Sequence, residues 1–334
     1  MKNNPNKVTE VRHLSAKAEH VSHNVGHDGV DRRGFLKCMA WAGTGMLWTV
    51  SGGVLGSNIL SPASAAAAES SAADFSFVQI SDSHIGFNKP ANTDVVGTLK
   101  QAIAKINGLP TAPDFILHTG DLSHLSEPAE FDTLDQLLKT TKAGRIFYVP
   151  GEHDVISDNG KEFRARYGKG TRGNGWFSFD QRGVHFIGLV NVMNIAEGGL
   201  GILGEDQLAW LKDDVSGLSS STPIVVFAHV PLWSIYPQWG WGTQDAERAL
   251  GLLKRFGSVT VLNGHIHQTM KKVEGRITFH TATSTAFPQP EPGKAPKPGP
   301  MKVEAGKLRE YLGITDVNYV AGETSLAIVD STLV

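Results

Sequence analysis

The sequence predicts an α/β fold, and three observations carry that prediction. Short apolar runs of strand-forming residues without alternation stand at 75–80, 114–119, 145–149, 223–228 and 259–263, as expected of strands buried on both faces. Segments with apolar residues at helical spacing separate the first three runs, which is the rhythm of a parallel sheet. Each run also stops at a cluster of acidic or histidine residues. Open α/β sheets place their ligands there, beyond the carboxyl ends of the strands.

Composition narrows the class. Hydrophobic residues make up 40% of the 334, enough for a full core, and a net charge of −2 gives no electrostatic ground for a nucleic-acid partner. The first 65 residues read as an address label. Arg32 and Arg33 precede Gly34-Phe35-Leu36-Lys37, a mildly apolar glycine-rich stretch runs over 38–60, and Pro62-Ala63-Ser64-Ala65 ends in the small-x-small form of a cleavage site. This resembles a twin-arginine (Tat) signal, which implies the Tat export machinery as a partner and a periplasmic or secreted mature protein. A retained membrane anchor is the competing reading, since 23 residues can span. Five glycines (43, 45, 52, 53 and 56) with Ser51, Ser57 and Asn58 make it a poor one. Removing the leader takes away seven basic and four acidic residues and leaves a mildly acidic chain of net charge −5. Cys38, the single cysteine, goes with it, so the mature protein would have no thiol. His13, His20, His23 and His27 are polar filler in the same leader.

In chain order, the first strand ends in Ser81-Asp82-Ser83-His84. Residues two apart in an extended segment face one side, so the Asp82 carboxylate and the His84 imidazole can meet a single cation. Val95, Val96, Leu99, Ile103 and Ile106 predict a helix over 93–106 that stops at Asn107-Gly108. The second strand delivers Gly120-Asp121, where glycine lets backbone approach whatever the carboxylate holds. A helix over about 128–139 leads to the third strand, which Pro150-Gly151 ends just before Glu152-His153-Asp154. Side by side and parallel, these strands bring their polar ends to one edge.

Residues 155–190 hold a short helical piece, a glycine-rich turn at 168–175, and a hairpin of 176–179 with 184–190. His185 reads there as a core or outward-facing sheet histidine. A helix over about 205–215 follows, and the strands 223–228 and 259–263 end in His229-Val230-Pro231 and Gly264-His265-Ile266-His267. The aromatic-rich stretch 231–242 is a stacking wall for a flat substrate, a self-packed loop or a subunit contact. His124, three residues after Asp121, is expected at the surface, and His280 in the strand 276–281 is ambiguous between core and cleft. Six prolines in 287–300 predict an extended strap, and 325–329 a returning strand with no legible partner.

Asp-x-His, Gly-Asp, Gly-x-His-Asp, His-x-Pro and Gly-His-x-His thus occur in this order, each at a strand end. Over about residues 75–285 the chain resembles the calcineurin-like metallophosphoesterases, in particular the branch of bacterial cyclic-nucleotide and glycerophosphodiester phosphodiesterases. The resemblance implies a four-layer α/β/β/α sandwich of two mixed sheets across 66–334. It implies that Asp82, His84 and His267 hold one metal ion, that His229, His265 and the residue at 152 hold a second, and that Asp121 bridges them. His153 would protonate the leaving oxygen, with Asp154 orienting its imidazole. The reaction implied is hydrolysis of a small phosphomonoester or phosphodiester by a hydroxide shared between two ions about 3.5–4 Å apart. Imidazole and carboxylate ligands without thiolate suit Fe, Mn or Zn.

One position departs from the family pattern, which has asparagine where this chain has Glu152. Asparagine offers a neutral carbonyl, glutamate a charge and one more methylene. Two divalent ions against Asp82 and Asp121 alone leave a formal charge of about +2, and Glu152 lowers this to about +1, so phosphate dianions should be attracted less. Three consequences stand open: a trivalent iron restores the balance, Glu152 swings away from the metals, or the chain is an exported metal-bearing binding or accessory protein with little hydrolysis.

Overall fold

The computed structural model describes residues 47–51, 54–58 and 74–334, Gly322 and Thr324 excepted. Strands β1 (Leu47–Ser51) and β2 (Val54–Asn58) form a two-stranded sheet of their own. The twin arginine, Cys38 and the small-x-small stretch lie outside the described residues. Among the described residues no helix is long and apolar enough to cross a membrane.

From residue 74 onward, two mixed sheets face each other. One is ordered β15 (Ala327–Thr332), β14 (Gly313–Tyr319), β3 (Phe75–Ile80), β4 (Phe115–His118) and β5 (Ile146–Tyr148). Within it β3, β4 and β5 are parallel, and β14 runs antiparallel to both β3 and β15. The other is ordered β12 (Lys271–Glu274), β13 (Ile277–Thr281), β11 (Val259–Asn263), β10 (Ile224–Ala228), β7 (Val184–Gly188) and β6 (Phe177–Gln181). Its four middle strands are parallel, and β12 and β6 close the edges antiparallel. A small hairpin, β8 (Asn194–Ile195) with β9 (Gly201–Ile202), stands apart from both sheets.

Side-chain alternation along the strands creates the layers. Phe75 and Phe77 of β3 point between the sheets with Phe115, Phe186, Val225, Phe227 and Val317, while Val78 and Ile80 point the other way. That outer face is covered by α1 (Val95–Asn107), α2 (Pro128–Leu138) and Phe163 of α3 (Lys161–Tyr167). On the six-stranded sheet, Ile224, Val226 and Ala228 meet α4 (Glu205–Ser216) and α5 (Ala246–Leu253). A last short helix, α6 (Leu308–Tyr311), precedes β14. The result is the four-layer α/β/β/α sandwich. Aromatic contacts bind its centre, Phe77 lying 4.9 Å from Phe115 and 5.5 Å edge-on from Phe186. Truncating such a fully buried phenylalanine to alanine costs about 3–5 kcal/mol.

Two local expectations are corrected, and the place of His280 is decided. The run 145–149 was expected to be buried on both faces, but β5 is a half-buried edge strand, because the sheet ends there. The returning strand is longer than expected and pairs with β14, which its polar residues Thr315, Asp316 and Asn318 concealed. His280 is a buried sheet residue with Nε2 3.0 Å from Asp330 of the opposite sheet and belongs to none of the groups able to hold a metal ion among the described residues. His185 is the sheet histidine expected, held between Asp180 at 2.8 Å and Asp214 at 2.9 Å.

Candidate metal centre

The carboxyl ends of β3, β4, β5, β10 and β11 meet at one edge of the sandwich and bring seven side chains from both sheets together. Asp82, His84, Asp121 and His267 form one buried group, and Glu152, His229 and His265 form a second. His84 Nε2 stands 3.2 Å from His267 Nε2, and His267 Nε2 stands 3.3 Å from Asp82 Oδ1. Asp121 Oδ2 lies 3.4 Å from His84 Nε2 and 3.4 Å from His229 Nε2, so this single oxygen stands between the two groups. Glu152 reaches the second group with both oxygens, 2.8 Å from His229 Nε2 and 2.9 Å from His265 Nδ1. It does not swing away.

These donors fit two metal ions. Glu152 Oε2, His229 Nε2 and His265 Nδ1 are buried atoms without a hydrogen-bond partner, although Oε2 lies 2.8 Å from His229 Nε2 and the other carboxylate oxygen, Oε1, 2.9 Å from His265 Nδ1. Their lone pairs aim at common space rather than at each other, and that is the arrangement a cation requires. The outward ring nitrogens are fixed as metal-binding imidazoles need: His229 Nδ1 donates to the Thr119 carbonyl at 2.7 Å and His267 Nδ1 to the Phe287 carbonyl at 2.5 Å. The two groups differ in access. Asp82, His84, Asp121 and His267 are at most 2% exposed, whereas in the second group Glu152 is 29% and His265 13% exposed beside a fully buried His229, so the centre opens to solvent through Glu152 and His265.

The backbone explains the convergence better than strand alternation does. Asp82 (φ 55°), His84 (φ 40°), Asp121 (φ 53°), His265 (φ 70°) and His267 (φ 56°) all occupy the left-handed region, and they are five of the eight non-glycine residues that do so among the described residues. Paired residues two apart were expected to point to one side from an extended segment. The chain instead kinks at both members, at a cost of order 1–3 kcal/mol each, as residues at functional sites do. Loop-to-loop bonds hold the kinks: Asp82 N–H donates to the Gly120 carbonyl, His84 N–H to the Asp121 carbonyl, and His265 N–H to the Asp82 carboxylate. Two glycines leave the necessary room. A Cβ at Gly120, itself at φ +96°, would come 2.4 Å from His229 Nδ1, and one at Gly151 would come 2.1 Å from Asp121 Oδ1.

His153 lies beside the first group, its ring 4.7 Å from that of His84. Its Nδ1 donates to the His124 carbonyl at 2.7 Å, which leaves Nε2 as the free atom. Burial lowers its pKa, but Asp121 and Glu152 overcome this and raise it above the usual histidine value. Asp154, expected to orient that imidazole, does not contact it. Its carboxylate accepts from the N–H groups of Gly151, Leu122 and Ser123 and from Ser123 Oγ, all within 3.0 Å, and so ties the loop after β4 to the loop after β5. Burial and the neighbouring Asp121 push its carboxyl up to about 7 against the pull of those N–H groups.

His124 was expected at the surface and is instead part of the site. It is half-buried, its ring stacks on His153 at 4.7 Å, and its Nδ1 is 3.4 Å from His84 Nδ1. The sequence offered only its position three residues past Asp121. The proline-rich strap also contributes. Phe287 packs 4.7 Å from both His84 and His267, and Gln289 Nε2 donates to the His265 carbonyl. The aromatic loop is packed on itself: Trp239 is edge-on to Tyr236 and to Trp241, and Trp241 is buried.

The calcineurin-like phosphoesterase family model matches residues 75–269, more than half of the chain. A 3',5'-cyclic-nucleotide phosphodiesterase from Nostoc sp. is 25% identical over 218 residues, 64% of this chain and 79% of the relative. A "probable glycerophosphodiester phosphodiesterase" from Arcobacter nitrofigilis is 24% identical over 221 residues, 62% of this chain and 77% of the relative. Among solved structures, a dimetal phosphatase from Danio rerio shares the fold at a TM-score of 0.55 and 14% identity, covering 78% of this chain and 98% of that one. The matched span starts at Phe75 of β3 and ends two residues past His267, so it encloses all seven converging side chains; the chain belongs to the calcineurin-like phosphoesterase family and is a hydrolase of phosphoric esters.

Proposed function

We propose that the chain hydrolyses a small phosphodiester in preference to a phosphomonoester at a dinuclear metal centre. Asp82, His84 and His267 would hold one ion and Glu152, His229 and His265 the other, with Asp121 shared between them. The observation that carries this reading is the pair of unpartnered donor sets sharing one Asp121 oxygen. Bound there, two cations supply Lewis acidity toward the phosphoryl oxygens and lower the pKa of the attacking water. Fe, Mn or Zn suits the donor set. The protein's own part is orientation and proton handling. His153, with Nδ1 tied to a carbonyl, holds a proton on Nε2 for the leaving oxygen. Asp154 sets the loops rather than moving a proton. The diester preference rests on Glu152, whose charge weakens attraction for a dianion more than for a monoanion, and both relatives described above are named as phosphodiesterases.

The export reading is proposed with it. Residues 1–65 act as a Tat signal and 66–334 as the catalytic domain, which is delivered folded to the periplasm or outside the cell. Replacing Arg32 and Arg33 by lysine should then retain the protein in the cytoplasm.

The test of function is turnover of bis-p-nitrophenyl phosphate and p-nitrophenyl phosphate by purified protein loaded with Mn, Fe or Zn. Hydrolysis that disappears in Asp121→Asn is expected. No turnover with any metal, in protein that binds two ions, would instead support a metal-bearing accessory protein, and its recovery on Glu152→Asn would identify the cause.

A further inference from the structure

The histidines of the first group have their outward nitrogens tied off differently. His267 Nδ1 gives its hydrogen to a backbone carbonyl, as His229 does in the second group, whereas among the described residues the group placed to receive that of His84 is another imidazole, His124 Nδ1 at 3.4 Å. Resting on the reading of Asp82, His84, Asp121 and His267 as ligands of one cation, we infer that His124 is a positioning residue for that half of the centre: it accepts the His84 Nδ1–H and so fixes the tautomer that turns the His84 Nε2 lone pair toward the metal.

The surroundings of His124 hold it to this task. Its ring lies nearly parallel to that of His153, at 16° and 4.7 Å, and edge-on to Phe87 at 5.2 Å. Its backbone N–H donates to Glu130 Oε2 at 3.1 Å, and its backbone carbonyl receives His153 Nδ1–H. One residue therefore touches both a ligand and the proton donor. The choice of imidazole also follows from charge. The cluster already contains Asp82, Asp121 and Glu152, and a carboxylate behind His84 would add a fourth negative charge. A neutral imidazole accepts the same hydrogen without it. The site needs its outer partners, since loss of such a partner lowers metal affinity about 10–100-fold in other metal centres.

Two variants separate this role from simple packing. His124→Phe keeps a ring to stack on His153 and lacks the acceptor. His124→Asn loses the ring and places Oδ1 where Nδ1 stood. Metal-free full-length protein is titrated with Mn2+ by calorimetry, with stoichiometry checked by elemental analysis and folding by circular dichroism. Wild type should bind two ions. His124→Phe should lose about 10–100-fold in affinity for one of them and keep the other, and His124→Asn should stay within about threefold of wild type. Equal losses in the two variants, or wild-type affinity for both ions in His124→Phe, would overturn the inference. Wild-type protein that binds no Mn2+ would overturn the dinuclear reading itself, whereas a two-ion protein indifferent to His124→Phe would overturn only the role of His124.

Discussion

Replacing Glu152 by glutamine removes one negative charge at constant length from the more open half of the centre. Donor atoms there and in the neighbouring group stand 2.8–3.4 Å apart, so a substrate oxygen sharing the second group's cation would come within about 4 Å of the Glu152 carboxylate. At that distance two unit charges interact by about 4 kcal/mol at an effective dielectric of 20. Glu152 is 29% exposed, and solvent screening of that order leaves about 2 kcal/mol per unit of substrate charge. This corresponds to roughly 30-fold in a rate constant. A monoester dianion carries one charge more than a diester anion. Glu152→Gln should therefore raise kcat/KM for p-nitrophenyl phosphate about 30-fold relative to bis-p-nitrophenyl phosphate, measured at pH 8 with saturating Mn2+. Glu152→Asn, one methylene shorter, should move the ratio the same way. An unchanged ratio in a variant that still binds two ions would refute the charge argument.

Asp154→Asn turns an amide NH2 toward N–H donors that both carboxyl oxygens now satisfy, and by leaving buried donors without an acceptor it should cost about 1–3 kcal/mol and lower Tm by roughly 2–12 °C. Full thermal stability with lost activity would point instead to a direct part in proton transfer. Removing bound metal with EDTA should lower Tm, because Asp82, Asp121 and Glu152 are then left to repel one another; restoring Mn2+ to a hundred times its Kd should return about 2.7 kcal/mol per site. A melting curve indifferent to EDTA would count against resident cations. His185 supplies a pH test away from the site. Burial lowers its pKa, but Asp214 and Asp180 raise it above the ordinary value, so its contribution is complete below about pH 6.5 and fades as pH rises through the folded value. His185→Gln should thus cost more stability in urea at pH 6 than at pH 9, and an equal cost at both would show that the ion triad contributes nothing.

The ends of β3, β4, β5, β10 and β11 were legible because each is an apolar run, buried in all but the edge strand β5, and such a run announces both its strand and the place where it stops. Those ends hold all seven converging side chains, and the family resemblance is what singled them out from neighbours such as His153 and Asp154. What stayed hidden depends on partners far away in sequence or on backbone atoms. The pairing of β14 with β3 joins Thr315 to Gln79 across most of the domain, and alternating polar residues masked the strand. Asp154 looks like half of an Asp-His pair in the sequence, yet its partners are N–H groups of Gly151, Leu122 and Ser123, which no side-chain motif records. The left-handed kinks at Asp82 and His267 were invisible for a similar reason, since aspartate and histidine tolerate that conformation without signalling it as glycine would. Phe287 and His124 were missed because nothing in their neighbourhoods separates a site-lining residue from a strap or surface one.

Two cations should lie on either side of the Asp121 carboxylate. The most direct measurement is an anomalous difference map from crystals of the Mn2+-loaded protein. Two peaks are predicted, one enclosed by Asp82, His84 and His267 and one by Glu152, His229 and His265, with Asp121 in contact with both. A single peak, or Glu152 turned out of contact with the second, would contradict the account.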